Sequence, residues 1–389
     1  MARIILGSYM VRYPLGGNLS WAFQYLIGFQ RLGHEVYFVE KSGYANSCYD
    51  PVADRMTDDC SQGISIVAPI LDGIGLANRW CYVDAAGRYY GLSRPAIEEV
   101  FRSADVFIDM GTHGSWLNEA AASQLRVLVD AEPGLRQLKM QNTLEAGGEL
   151  PEYDVYFTKG WNVANGRSAA PTAGRHWRGM FHPVVTDRFE TTPSPQGAPF
   201  TTVMNWRSYE RVERRGETFG HKDLEFEKFI ALPRRTSAPL ELAVSGKATP
   251  TSRLCDHGWR LRDAHQVTRS IASFVEYLRT SRGEFTVCKH GFVSLRTGWF
   301  SDRSAAYLAS GRPVVMQDTG FSEHLPVGRG LFAVNTVEEA ATAIDEIETR
   351  YDAHCRWARE IAKEHLEATR VLRQFLDEIG VSRSHTTGA

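Results

Sequence analysis

The residues that could do chemistry cluster beside glycines, and the densest cluster is GWFSDRSAAYLASGRPVVMQDTG, residues 298–320. Ser301 has the chemistry of an N-cap for the helix-like run DRSAAYLASG, so the first amides of that helix and its positive dipole end would form an anion pocket. Arg303 adds a guanidinium suited to a two-pronged phosphate contact. Trp299 and Asp302 stand beside it, and Asp318, Thr319 and Gly320 turn at the end of the strand-like PVVMQ, with Glu323 just beyond. These last four offer partners to sugar or ribose hydroxyls. The same stretch also reads as a plain helix and strand in which Asp302 favours the helix start and Asp318 caps a turn.

Other candidates lie at the ends of strand-like runs. SRGEFTVCKHG places Glu284 before a strand and Lys289 and His290 after it, which suits Lys289 to a phosphate and Glu284 to hydroxyls, or both to a charged surface. Trp259, in CDHGWRLRD, could stack on a nucleobase or close a core edge. Near the N-terminus, GSYMVRYPLGGN supplies Arg12 for an anion and Gly16 and Gly17 for a close amide approach ahead of a helix, unless the pair is only a turn. FIDMGTHG sets Asp109 and His113 at a strand end, where His113 could take a proton from a hydroxyl nucleophile. Strand-end aspartates such as Asp109 and Asp130 equally cap the next helix.

These positions need a frame that brings strand ends together. ARIILGS, NLSWAFQYLIGFQRLG and HEVYFVE read as strand, helix and strand, and DVFIDM, RVLVDA and YDVYFTK continue the alternation. That pattern implies a parallel sheet covered by helices. Residues 42–92, rich in Gly, Asp and aromatics, read as an insertion or a long connection. TTPSPQGAP, 191–199, is the clearest linker. After it the alternation restarts with FTTVMNW, DLEFEKFIALP, LELAVSG and one long helix, DAHQVTRSIASFVEYLRTS, capped by Asp263. EFTVCKH, PVVMQ, GLFAVN, two terminal helices over about 337–379 and a disordered SRSHTTGA tail complete the chain. The expected domains are 1–190, 200–350 and a C-terminal helix, 351–380, able to cross back to the first. Ligands in such sheets bind beyond the carboxyl ends of the strands.

Composition narrows the function classes. Charged residues make up 23% of the 389, and the formal charge of −2 gives no reason to expect nucleic acid as a partner. The basic stretches RRGETFGHK and LPRR read as solvated faces. Six dispersed cysteines without a C-x-x-C pair argue against structural zinc and point to a reducing compartment. With no signal-like start and no long apolar run, a cytoplasmic protein without membrane insertion is expected. The G-x-G-x-x-G fingerprint of nicotinamide enzymes is missing. So is any D-x-D pair, so cationic side chains and helix dipoles, with no metal, would have to neutralise a leaving diphosphate.

Over 284–345 the sequence resembles the donor-site segment of nucleotide-sugar transferases with the two-Rossmann GT-B fold. VRYPLGG, LGHEVYFVE, RWCYVD, SRGEF, GWFSDRSAAYLASGRPVV and DTGF together resemble a little-characterised group of bacterial GT-B glycosyltransferases. The resemblance implies an α/β protein of GT-B architecture, two Rossmann-like domains facing across a cleft, and a hexosyltransferase-like enzyme. The donor would be a nucleoside-diphosphate sugar and the acceptor a small molecule such as a natural product or glycan. Taken with the residues above, Lys289, Ser301 and Arg303 would hold diphosphate, Trp259 the base, Asp318, Thr319, Gly320 and Glu323 hydroxyls, and His113 or Asp109 would be the acceptor base if the enzyme inverts. Retaining relatives carry two glutamates about a helix apart; here those places hold Gly298 and Ala306, so stereochemistry does not carry over. A nucleotide-sugar epimerase and a non-catalytic nucleotide- or sugar-binding partner protein share the pattern.

Overall fold

A computed structural model describes residues 1–193, 197–246 and 248–381. The first sheet comprises β1 (Arg3–Gly7), β2 (Glu35–Lys41), β3 (Trp80–Val83), β4 (Tyr89–Gly91), β5 (Val106–Asp109), β6 (Arg126–Asp130), β7 (Val155–Thr158) and β8 (Trp177–Gly179). Their spatial order is β8-β7-β6-β5-β1-β2-β3-β4, and every pairing is parallel except that of β3 with β4. Central strands read as unbroken apolar runs because helices cover both faces: Ile4, Ile5 and Leu6 of β1 are all fully buried. Strand order reverses between β1 and β5, so the loops after these two strands diverge and leave a crevice.

The second sheet comprises β9 (Phe200–Asn205), β10 (Leu240–Ser245), β11 (Arg260–Asp263), β12 (Gly283–Thr286), β13 (Val314–Gln317) and β14 (Leu331–Val334), in the order β11-β10-β9-β12-β13-β14 and parallel throughout. Its reversal falls between β9 and β12. Five helices bear on the cleft and on the connections between the sheets: α1 (Gly16–Arg31), α2 (Ile271–Thr280), α3 (Asp302–Ala309), α4 (Tyr351–Ile361) and α5 (Ala368–Glu378). α5 lies against α1, and Val371, Leu372 and Phe375 belong to the same buried cluster as Leu26 and Phe29. The chain passes between the sheets twice, and the two passages pair: Val184 N donates to Leu366 O at 2.8 Å and Ala368 N to Val184 O at 2.9 Å.

Several sequence expectations change. Residues 42–92 are more than a connection: β3 adds to the first sheet beside β2, preceded by the hairpin Cys48–Asp50/Arg55–Thr57 and the helix Ser61–Gly73. The long helix after β11 is two. Asp263 does cap, accepting from His265 N at 2.9 Å, but the helix stops at Val267, and α2 starts anew with Ser270 and Ser273 in a reciprocal cap. The terminal helices number three over 337–378, with a π-helical turn at Ala362–Leu366. The middle of the linker (194–196) and the tail from 382 lie outside the described residues.

Candidate active site between the two sheets

Three cations gather where the strand order of the second sheet reverses. Lys222 starts a short helix (Lys222–Phe226) after the hairpin Val212–Arg214/Glu217–Phe219. It is 7% exposed and has no hydrogen-bond or ion-pair partner among the described residues. Burial first, then the Arg303 charge, lowers its pKa to about 7. RRGETFGHK is therefore not a solvated face throughout, since His221 and Lys222 are buried.

Arg303 is held from three sides. Its Nε donates to Glu284 Oε1 at 2.5 Å, Nη2 to Thr286 Oγ1 at 2.8 Å and Nη1 to Val203 O at 2.9 Å. Glu284 thus lies inside β12, fully buried, and holds Arg303 in place of the expected sugar hydroxyls; its Oε2 has no partner. Lys289 reaches across the cleft and donates to both oxygens of Glu132, at 2.7 and 2.6 Å, in the loop after β6. Tyr209 O–H donates to the same carboxylate. Burial alone would push the Glu132 carboxyl up; Lys289 outweighs it and holds the group below its ordinary value. His290 is engaged with Glu225 Oε1 at 2.8 Å.

Ser301 takes the extended N-cap backbone of α3, yet its side chain makes no cap bond, and its Oγ is buried without a partner. The first amides of the helix, those of Asp302 and Arg303, turn to the Asp302 carboxylate instead. Asp302 is half-buried beside it. Burial pushes its carboxyl up, and its charge acts on Tyr9, Tyr25 and Lys159 of the first domain.

The glycine turns in this segment serve the other domain. Gly298 (φ +75°) and Gly320 (φ +93°) leave no room for a Cβ because Asn162 fills the space against both. Asn162 N donates to Thr297 O at 3.0 Å, and its Oδ1 pairs with His324 Nε2 at 2.8 Å. Asp318 accepts from Gly320 N at 2.8 Å and Ser322 Oγ at 2.7 Å, so it caps its own turn. Thr319 Oγ1 donates to Trp299 O at 2.6 Å. Trp299 pairs with Gly160 and packs on Phe292, centroids 4.7 Å apart. Glu323 bridges Arg296 at 2.6 Å and Arg167 of the first domain at 2.9 Å. The expected ligand contacts at 318–323 are thus occupied by a latch between domains.

On the facing wall most predicted residues are fully engaged. Glu40 of β2 accepts from the amides of Met10, Val11 and Arg12 at 2.8, 2.7 and 2.9 Å and from Arg12 Nε at 3.2 Å, so Arg12 braces its own loop and does not meet an anion. Gly16 N donates to Thr268 O at 2.6 Å, and a Cβ there would strike Ser270 O; its bareness admits the other domain. Gly17 borders open space beside Asp302 and Arg303. Asp109 accepts from Gly111 N, Thr112 N, Thr112 Oγ1, Gly114 N and Tyr153 O–H, all within 3.0 Å, which rules it out as the base. His113 differs: it sits at φ +53°, exposed, with no hydrogen-bond partner among the described residues. Desolvation, then Arg136, holds its pKa below the ordinary value, against Asp109. It is a neutral acceptor near pH 7.

Sequence reasoning missed Lys159, Tyr25 and His182. Lys159, just past β7, is 1% exposed; its Nζ donates to Phe181 O at 2.9 Å and lies 5.1 Å from the Tyr25 ring centre. Burial pushes this ammonium well down, opposed by Asp302 and Asp130. His182 Nδ1 accepts from Trp21 Nε1 at 3.2 Å, while its Nε2 and Tyr25 O–H are buried without partners. VYFTK resembles EFTVCK in setting a lysine beyond a strand, and that signal could have found Lys159. Trp259 is a correction in the other direction. It is 3% exposed, donates to Ile230 O at 2.8 Å and packs on Phe226 and Phe285 within the second core, so its ring closes a core edge and does not offer an open face for stacking.

No protein-family model matches the chain, and no curated protein matches it. Solved structures do. Anabaena HepE in complex with UDP and glucose is similar at 10% identity and TM-score 0.58, over 98% of this chain and 100% of that one. An alpha-glucosyltransferase in complex with UDP-glucose and DNA containing an abasic site is similar at 13% identity and TM-score 0.56, over 97% and 99%. An alpha-glucosyltransferase in complex with UDP gives 12% and 0.55, over 98% and 100%. These likenesses establish the two-Rossmann GT-B fold over the length of the chain. Among the described residues no helix is long and apolar enough to cross a membrane.

Proposed function

We propose that the protein moves a sugar from a nucleoside-diphosphate sugar to an acceptor hydroxyl in this cleft, with the second domain holding the donor. The observation that carries the reading is Lys222, a buried ammonium without a counter-ion beside Arg303 and Lys289 at the switch point of the second sheet. A diphosphate would supply the missing anion and could take Lys289 from Glu132. That similar structures hold UDP or UDP-glucose supports this donor class.

In the reaction, the acceptor oxygen bonds to the anomeric carbon as the bond from that carbon to the diphosphate oxygen breaks. Lys222, Arg303, Lys289 and the positive end of the α3 dipole stabilise the departing charge, so no metal is required in this reading. For an inverting course the acceptor proton passes to His113, whose lowered pKa keeps the imidazole unprotonated near pH 7. Lys159, Tyr25 and His182 would orient the acceptor.

Thermal-shift titration with UDP, TDP and GDP, on wild type and Lys222→Met, tests the donor assignment. Stabilisation of the wild type by at least one nucleotide, lost in the variant, is expected. No response of the wild type to any of them sinks it. Mass spectrometry of a donor panel with and without acceptors and EDTA then separates transfer from acceptor-free isomerisation.

A further inference from the structure

A second charged cavity lies outside the cleft, where the linker after β8 meets α4. Its volume is about 490 Å³, within the range of small-ligand sites. Five cationic side chains line it, Arg282, Arg312, Arg356, Arg359 and Lys363, against two carboxylates, Asp352 and Glu360. Arg282 is neutralised by Glu348 at 2.7 Å and stacks on Tyr351.

The other four have no carboxylate partner among the described residues. Arg312, 2% exposed, spends its Nε and Nη2 on the carbonyl oxygens of Arg279 and Thr192. Arg359 Nη1 likewise donates only to carbonyls, those of Phe189 and Ala309. Arg356 and Lys363 are exposed at the rim and make no ion pair. Carbonyls leave the formal charge of buried Arg312 uncompensated, and half-buried Arg359 feels Glu367 and Asp187 without an ion pair to either; an anion among these two and the exposed Arg356 and Lys363 would relieve their mutual repulsion.

We propose that this cavity binds a phosphate-bearing small molecule, either free phosphate or a phosphate ester. Guanidinium forks suit tetrahedral phosphate oxygens better than a lysine-only site would, and the volume leaves room for an attached sugar-sized group. Thr191–Pro193 belong to the first passage between domains and Lys363 to the π-helical turn of the second, so an occupant touches both connections.

Cys355 in the cavity wall gives a local readout. In a Cys255→Ser background it is the one cysteine that is not buried. Its alkylation rate is measured with inorganic phosphate, glucose 6-phosphate or glucose present. Protection growing with ligand concentration is expected for one or both phosphate compounds and not for glucose. Equal protection by both identifies free phosphate as sufficient; protection by glucose 6-phosphate alone identifies the ester. Arg356→Gln with Lys363→Gln, both at exposed positions, weakens the effect about tenfold or more, while Lys222→Met in the cleft leaves it intact. Absence of protection by both phosphates, equal protection by glucose, or loss in Lys222→Met but not in the double variant overturns the proposal.

Discussion

The two walls of the cleft treat their charged groups differently. On the first-domain wall, Glu40 and Asp109 collect backbone amides from their own loops, and Arg12 is spent on Glu40. On the second-domain wall, Arg303 and Lys289 are held by carboxylates and Lys222 by nothing. A charge bonded to backbone holds a loop in shape and cannot be released without unfolding it. A charge held by a side chain can change partners, and one that is buried and unpaired waits for a partner.

The contrast is sharpest for the substitution Asp109→Ala. It orphans five donors, so unfolding free energy should drop by about 3 kcal/mol or more, read from the denaturation midpoint. An unchanged midpoint would mean that the first wall is not structural after all. Lys222→Met is the opposite case. Nucleoside-diphosphate affinity should fall at least about tenfold while the unliganded protein is as stable as wild type or more so, because an uncompensated buried charge has gone. Equal affinity in a calorimetric titration would break the contrast.

A pH series sharpens it further. The Lys222 pKa falls from 10.5 to about 7 in the fold, so between these values the unfolded chain binds the extra proton. Stability of the free protein should therefore rise with pH across that window; below about 7 both states are charged and the burial cost is felt in full. A bound diphosphate restores the ammonium, so binding near pH 8 takes up a proton and weakens as pH climbs. Calorimetry in buffers of different ionisation enthalpy measures the uptake, and zero uptake contradicts the assignment. The smallest effect belongs to Glu132→Gln, which frees Lys289: nucleotide affinity should increase by roughly two- to fivefold as a competing anion is removed. A decrease would assign Glu132 to the ligand instead of the clamp.

Much of the frame was legible beforehand. Strand-helix alternation on both sides of residues 191–199 announced two parallel sheets, since a βαβ unit needs an apolar strand and an amphipathic helix in turn. The break at Thr268–Ser270 was not, because helical periodicity runs straight through it. It exists where Thr268 O receives Gly16 N from the other domain. β3 escaped notice because WCYV sits among glycines and aspartates that read as loop.

Sequence by itself determined which side chains could do chemistry and that they lie near strand ends: Arg303, Lys289, His113 and Ser301 were marked by residue type and by adjacent helix or strand signals. Tertiary structure alone decided what each one is bonded to. It placed Glu284 under Arg303, Asn162 against Gly298 and Gly320, and Lys222 inside the protein without a counter-ion. The reason is physical. Propensity and periodicity act over a few residues, whereas hydrogen-bond satisfaction and desolvation depend on atoms brought within a few ångströms from anywhere in the chain.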